Sequence, residues 1–180
     1  MSGVVYWEEQ EARTMTCGRH SLNNLLQGPY FNDVDLAEIA NRLDEKEKSL
    51  SDKDQNIPIK NSHNVSDTGD YSIQVLAEAL WTKGFEDPRI VDEVYMLIDD
   101  INKETAFLCH SMAHWLAIRR VSGIWFWFNS LESGPYRFTD LSFKYLKGES
   151  NSTYIRELIK EKSLVYVIKG GNFEEPVNDV

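Results

Sequence analysis

The feature that most constrains this chain is a change of hydrophobic period near Gly84. Before it, apolar residues recur at helical spacing: Leu22, Leu25 and Leu26, then Leu36, Ile39, Ala40 and Leu43, then Ile73, Leu76, Ala77 and Leu80. After it come short runs rich in β-branched and aromatic residues: Ala106 to Cys109, Trp115 to Val121, Ile124 to Ser130 and Leu164 to Lys169. Ser122-Gly123 joins two of these runs as a tight hairpin. Helices first and strands later, with short loops between neighbouring strands, predict an α+β fold. A helical lobe would pack on a mainly antiparallel sheet, without alternating βαβ units.

Local punctuation sets the helix ends. Thr16 is the expected N-cap of a helix over Cys17 to Gln27, which Gly28-Pro29 stops. A second helix follows Asn32 or Asp33, and a third covers Tyr71 to Lys83 with Gly84 as its C′ residue. Thr139 to Leu146 and Thr153 to Lys160 also read as helical. The stretch Asp44 to Lys60 carries charge on all faces and has little to bury, which predicts a projecting helical arm or a mobile loop. Asn61 to Asp70 reads as a polar linker.

A chain of 180 residues is expected to form one domain over 1–180, large enough to fold without disulfide or metal. Its net charge of −10 repels phosphates and anionic membranes, so neither nucleic acid nor membrane is an expected partner. No apolar run reaches the roughly 18 to 20 residues of a membrane span. The two cysteines, Cys17 and Cys109, are too few for a disulfide framework and fit a reducing compartment. Charged residues follow Met1 to Val5 at once, unlike a signal peptide. The expectation is a soluble monomer of the cytoplasm or nucleus.

Cysteine nucleophiles act as thiolates, and a helix start favours negative charge. Cys17 occupies such a start, although a buried free cysteine is more often a small hydrophobe. His114 begins one strand and Asn129 closes the next. If Ser122-Gly123 pairs these strands, the outer ends meet, and an amide oxygen beside an imidazole fixes its tautomer. Cys17, His114 and Asn129 are therefore the candidate nucleophile, base and orienting residue of a papain-like hydrolase. Each alone has a plainer reading, as an edge-of-core histidine or a turn asparagine. Zinc competes for Cys109, His110 and His114, but alternate strand residues face opposite ways and no further pair completes a tetrahedral set. No G-x-S-x-G supports a serine triad. No cofactor or metal is expected.

The segment Cys17-Gly18-Arg19-His20-Ser21-Leu22-Asn23-Asn24-Leu25-Leu26-Gln27-Gly28 closely resembles the opening helix of the Josephin family of deubiquitinating cysteine proteases. The resemblance continues through Tyr30-Phe31, Ser72-Ile73-Gln74-Val75, His114-Trp115, Phe128-Asn129-Ser130-Leu131 and Val165 to Gly170, and is closest to the ataxin type. It implies a papain-like Josephin fold and thiol-dependent hydrolysis of isopeptide bonds at the ubiquitin C-terminus. In this reading Cys17 attacks, His114 carries the proton and Asn129 orients His114. The partner is ubiquitin or a polyubiquitin chain, met by Ile73 and Gln74 on one surface and Tyr30 and Phe31 on another. His20 is expected to be structural or supporting. Gln10 is the only candidate for the family's oxyanion glutamine. Its spacing to Cys17 is longer than the family pattern, so the insert loops out or displaces the donor. A family tryptophan is replaced by Lys83, with Trp81 nearby. A ubiquitin-binding module without turnover and a transglutaminase-like enzyme are the competing readings.

Overall fold

The computed structural model describes residues 4–11, 13–51, 62, 64–65, 70–92, 95, 101–138 and 150–173. Its helices are α1 (Cys17–Leu26), α2 (Asp33–Ser51), α3 (Ile73–Thr82) and α4 (Asn151–Lys160). Its strands are β1 (Arg89–Ile90), β2 (Ala106–Ser111), β3 (His114–Val121), β4 (Ile124–Phe128), β5 (Tyr136–Arg137) and β6 (Leu164–Ile168). They form one antiparallel sheet in the order β1-β6-β2-β3-β4-β5. The fold is therefore α+β, as the change of period predicts.

Strand alternation gives the sheet two apolar faces, and both are covered. Leu108, Trp115, Ala117, Phe126 and Phe128 face α1, α2 and α3 through Leu22, Leu25, Leu36, Leu76 and Leu80. Phe107, Cys109, Leu116, Ile118, Trp127, Val165 and Val167 face α4 through Ile155 and Leu158. Each fully buried side chain of this kind contributes about 1.5–3 kcal/mol. Among the described residues no helix is long and apolar enough to cross a membrane.

The helix ends differ in detail from the sequence reading. Asn32 caps α2, its Oδ1 accepting from the amides of Val34 and Asp35, while Asp35 Oδ2 accepts from the Asn32 amide. Ser72 caps α3 by accepting from the Val75 amide. Thr16 stands at the N-cap position of α1, but its side chain makes no capping bond and meets Thr14 Oγ1 at 3.0 Å instead. The start of α1 therefore keeps amide hydrogens uncommitted by a side-chain cap. At the other end Gln27 adopts φ 63°, one residue before the glycine expected to stop the helix. Its amide grips Asn24 and Tyr6, which compensates the left-handed conformation.

Asp44 to Ser51 continues α2, so this part of the charged stretch is helical. Residues 52–60 of that stretch and the expected helix at 139–146 lie outside the described residues. Most of the 61–70 linker does so as well. Strands β1 and β5 go beyond the sequence reading; with two residues each they show no alternation to read.

Two polar clusters tie α1 into place. Arg119 on β3 is fully buried and donates from Nη1 to the Leu25 carbonyl at 2.5 Å. That carbonyl belongs to the last turn of α1, where unpaired oxygens and the dipole favour a cation. At the near side, Glu8 accepts from His20 Nδ1 at 2.8 Å, from Asn23 Nδ2 at 3.0 Å and from Tyr6 Oη. Burial pushes the Glu8 carboxyl up, but these hydrogen bonds outweigh it and hold it below its ordinary 4.5.

Arg119→Ala is expected to lower unfolding stability by about 3 kcal/mol in urea denaturation, since it empties a packed site and strips the Leu25 carbonyl. The Glu8 contribution has the depressed-carboxylate sign: fully present above the ordinary 4.5 and lost as pH falls through the lower folded value. Glu8→Gln is expected to flatten the acid limb of stability against pH in the same assay.

Candidate active site

α1 packs along β3, so the start of the helix lies against the start of the strand. His114 is the first residue of β3 and Asn129 follows the last residue of β4. The hairpin sets Ala117 opposite Phe128, and His114 Nε2 lies 2.8 Å from Asn129 Oδ1. The Leu131 amide donates to the same oxygen at 3.1 Å, which identifies that atom as the carbonyl side of Asn129. It follows that Nε2 carries the hydrogen and donates, leaving His114 Nδ1 as the unprotonated, basic nitrogen.

Cys17 is 1% exposed and its Sγ–H donates to Asp70 Oδ1 at 3.2 Å. Burial pushes the thiol up to about 12; hydrogen bonds from the Trp115 and Gly18 amides oppose this, while the Asp70 carboxylate adds to it. Trp115 directly follows His114, so its amide bond to the sulfur ties nucleophile and base to adjacent points of one strand. Burial pushes the His114 imidazole below its ordinary 6.5, against the Asn129 hydrogen bond and the charge of Asp70. The resting site at neutral pH is thus a thiol and a neutral imidazole, with an acid facing both.

Asp70 is the site residue that the sequence does not reveal. It stands at the end of a polar stretch with the look of a linker, and its contact with Cys17 spans 53 positions. Nothing local announces such a pairing. His110 also feels its charge and meets the Trp115 ring at a tilt of 45°, with centroids 4.6 Å apart.

Gln10 is buried beside the Asn129 end of the site. Its amide donates to the Ser130 carbonyl at 2.8 Å, and Ser130 Oγ donates to Gln10 Oε1 at 3.1 Å. Its Nε2 donates to the Thr14 carbonyl. A turn in which the Thr14 amide bonds the Glu11 carbonyl takes up part of the longer spacing to Cys17. Gln10 is thus tied to Ser130, the neighbour of Asn129, with one amide hydrogen committed within its own loop.

The helix motif has other duties. His20 Nε2 accepts from Arg19 while Nδ1 donates to Glu8, so both ring nitrogens are engaged away from the site. Asn23 clamps Phe31 through both backbone groups, and Asn24 Oδ1 accepts from the Glu8 amide at 2.7 Å. Cys109 is wholly buried on the α4 face, and burial raises its thiol strongly. It and His110 therefore face opposite sides of the sheet, and no metal-holding group of three or more ligands occurs among the described residues.

Of the residues expected on the recognition surfaces, Gln74 is exposed and Ile73 is partly buried against the core. Tyr30 is partly buried and Phe31 is 7% exposed within the core. The Phe31 ring is therefore a packing element and offers little surface. Lys83 places Nζ 5.5 Å from the Tyr30 ring and 5.3 Å from the Phe31 ring, at the far end of α3 from Ile73. Trp81 is 65% exposed.

A family model described as Josephin matches residues 12–169. The ataxin-3-like protein of Homo sapiens is 35% identical over 175 residues, covering 92% of this chain and 46% of that protein. Ataxin-3 of Mus musculus gives the same identity, covering 92% of this chain and 46% of its own length. The ataxin-3 homolog of Arabidopsis thaliana is 36% identical over 183 residues, covering 96% of this chain and 61% of its own length. The chain thus spans less than two-thirds of the length of these curated relatives.

Asp70→Asn removes the charge facing the thiol and is expected to lower its pKa, raising iodoacetamide alkylation of Cys17 near neutral pH by roughly tenfold. Alkylation rate against pH, read by mass spectrometry at Cys17, checks this.

Proposed function

Because this chain belongs to the Josephin family, a family with a cysteine-protease fold, we propose that it is a deubiquitinase with Cys17, His114 and Asn129 as its working groups. The observation that carries the reading is the oriented pair: His114 Nε2 on Asn129 Oδ1 at 2.8 Å, beside the uncapped helix start that bears Cys17.

The chemistry follows from the tautomer. His114 Nδ1 takes the Cys17 proton, and the sulfur attacks the carbonyl of the isopeptide bond at the ubiquitin C-terminus. The carbonyl electrons move to oxygen, where the amides at the start of α1 and the second Nε2 hydrogen of Gln10 are the available donors. The C–N bond breaks as His114 returns the proton to the leaving lysine amine. Water, deprotonated by His114, then cleaves the thioester and restores the thiol. The proton transfer must overcome a high thiol pKa and a low imidazole pKa. Substrate binding that displaces the thiol from Asp70 would make it easier.

A ubiquitin-binding module without turnover is the second reading. It is favoured by the same Asp70 contact, which holds the thiol protonated, and by the commitment of Gln10 Nε2 to Thr14.

A ubiquitin carrying a thiol-reactive electrophile at its C-terminus is expected to label the parent and not Cys17→Ala. A folded parent that binds this probe without forming an adduct selects the second reading. With a fluorogenic ubiquitin amide, Asn129→Ala is expected to lose less kcat/KM than His114→Ala, because it orients the proton carrier without carrying the proton. Equal activity of Asn129→Ala and parent removes Asn129 from the site.

A further inference from the structure

We infer that the groove behind His114, on the sheet face opposite α1, receives the leaving side of the substrate: a lysine-bearing, basic segment of the acceptor protein. This rests on the hydrolase reading above. The groove has a volume of about 530 Å³, with His114 and Asn129 in its wall and Trp127, Leu158, Glu157 and Glu161 among its other lining residues.

Position comes first. His114 shares strand parity with Leu116 and Ile118, on the α4 face, whereas Cys17 packs on the other face. The imidazole lines the groove, which starts at the proton carrier and runs away from Cys17 along the α4 face. The departing amine takes its proton from His114 Nδ1, and the acceptor chain that bears it leads away from Cys17 past the imidazole. The groove adjoins this path and Cys17 does not line it.

Chemistry selects the occupant. Trp127, Leu116 and Leu158 give the groove apolar walls suited to a methylene stem, and Glu132, Glu157 and Glu161 supply carboxylates. Glu157 and Glu161 lie four apart at the end of α4, a like-charge spacing that repels. Ion pairs among the described residues are Arg19 with Asp33, Arg42 with Glu78, Lys169 with Glu104 and His20 with Glu8, so none neutralises these three carboxylates. Lys162 lines the adjoining cavity with His110 and Glu161. A net charge of −10, with no ion pair to these acids among the described residues, favours a cationic occupant beside the proton carrier.

The rim fits a macromolecular acceptor. Met112 is 97% exposed and Leu131 is 59% exposed, and both line the groove beside the working pair. Met112 and Ala113 form the β2–β3 turn with φ of 49° and 57°, an unfavourable conformation for non-glycine residues held by the flanking strands. The turn fixes Met112 outward at the edge next to His114.

The test uses ubiquitin joined by an isopeptide bond to the lysine of short peptides, with arginine or glutamate flanking that lysine. The parent is expected to show kcat/KM about tenfold higher for the arginine-flanked peptide, from several screened charge contacts. The Glu132→Gln, Glu157→Gln, Glu161→Gln triple variant is expected to erase that preference, and Glu157→Lys with Glu161→Lys to invert it. Equal rates on both peptides in the parent, or a preference that survives these variants, overturns the groove assignment. If the parent cleaves no ubiquitin substrate, the hydrolase reading fails. The groove is then judged by amide chemical-shift changes on titration with the free arginine-flanked peptide. Changes confined to α4 and the Met112 turn keep the assignment, and their absence overturns it.

Discussion

The structure depends on one contact, the laying of α1 along β3 with both ends pinned. At one end the Trp115 amide reaches the Cys17 sulfur, and at the other the Arg119 guanidinium reaches the Leu25 carbonyl. The two spans match: about 12 Å of helix from Cys17 to Leu25 at 1.5 Å per residue, and about 13 Å of strand from Trp115 to Arg119. Helix and strand therefore run in step, and a slip by one residue at either element would break a polar contact in a dry interface. Burying a guanidinium is costly, so it is used where a helix terminus supplies the compensating oxygens.

This pinning explains why so much of the conspicuous helix motif is structural. Only Cys17 faces the site. His20, Asn23 and Asn24 bind α1 to the preceding Tyr6–Glu8 stretch and to Phe31, Arg19 binds it to Asp33 at the start of α2, and through them the angle at which the helix start meets the strand is set. Chemistry at the sulfur thus depends on a polar network on the far side of the helix.

The fold is largely legible because its elements carry periodic signals. Leu22 and Leu25 mark a helix face, Ile118 and Trp127 lie on paired strands, and Ser122-Gly123 shows where those strands turn. That turn also makes the meeting of His114 and Asn129 readable, since a hairpin converts sequence spacing into proximity. What escapes reading has no local signature. Asp70 reaches Cys17 only through tertiary packing, and β1 and β5 are too short to alternate. Thr16 has the right residue type for a cap but engages its hydroxyl with Thr14. Phe31, a surface residue by family resemblance, is drawn inward by the backbone clamp of Asn23.

The placement of the two sulfurs has a consequence for redox chemistry. Cys17 belongs to the packing layer on one side of the sheet and Cys109 to the layer on the other, with the strands between them. The sequence contains no third cysteine. A sulfenic acid formed at Cys17 therefore has no resolving thiol within the chain, and its return to the thiol requires a small-molecule or protein thiol from outside.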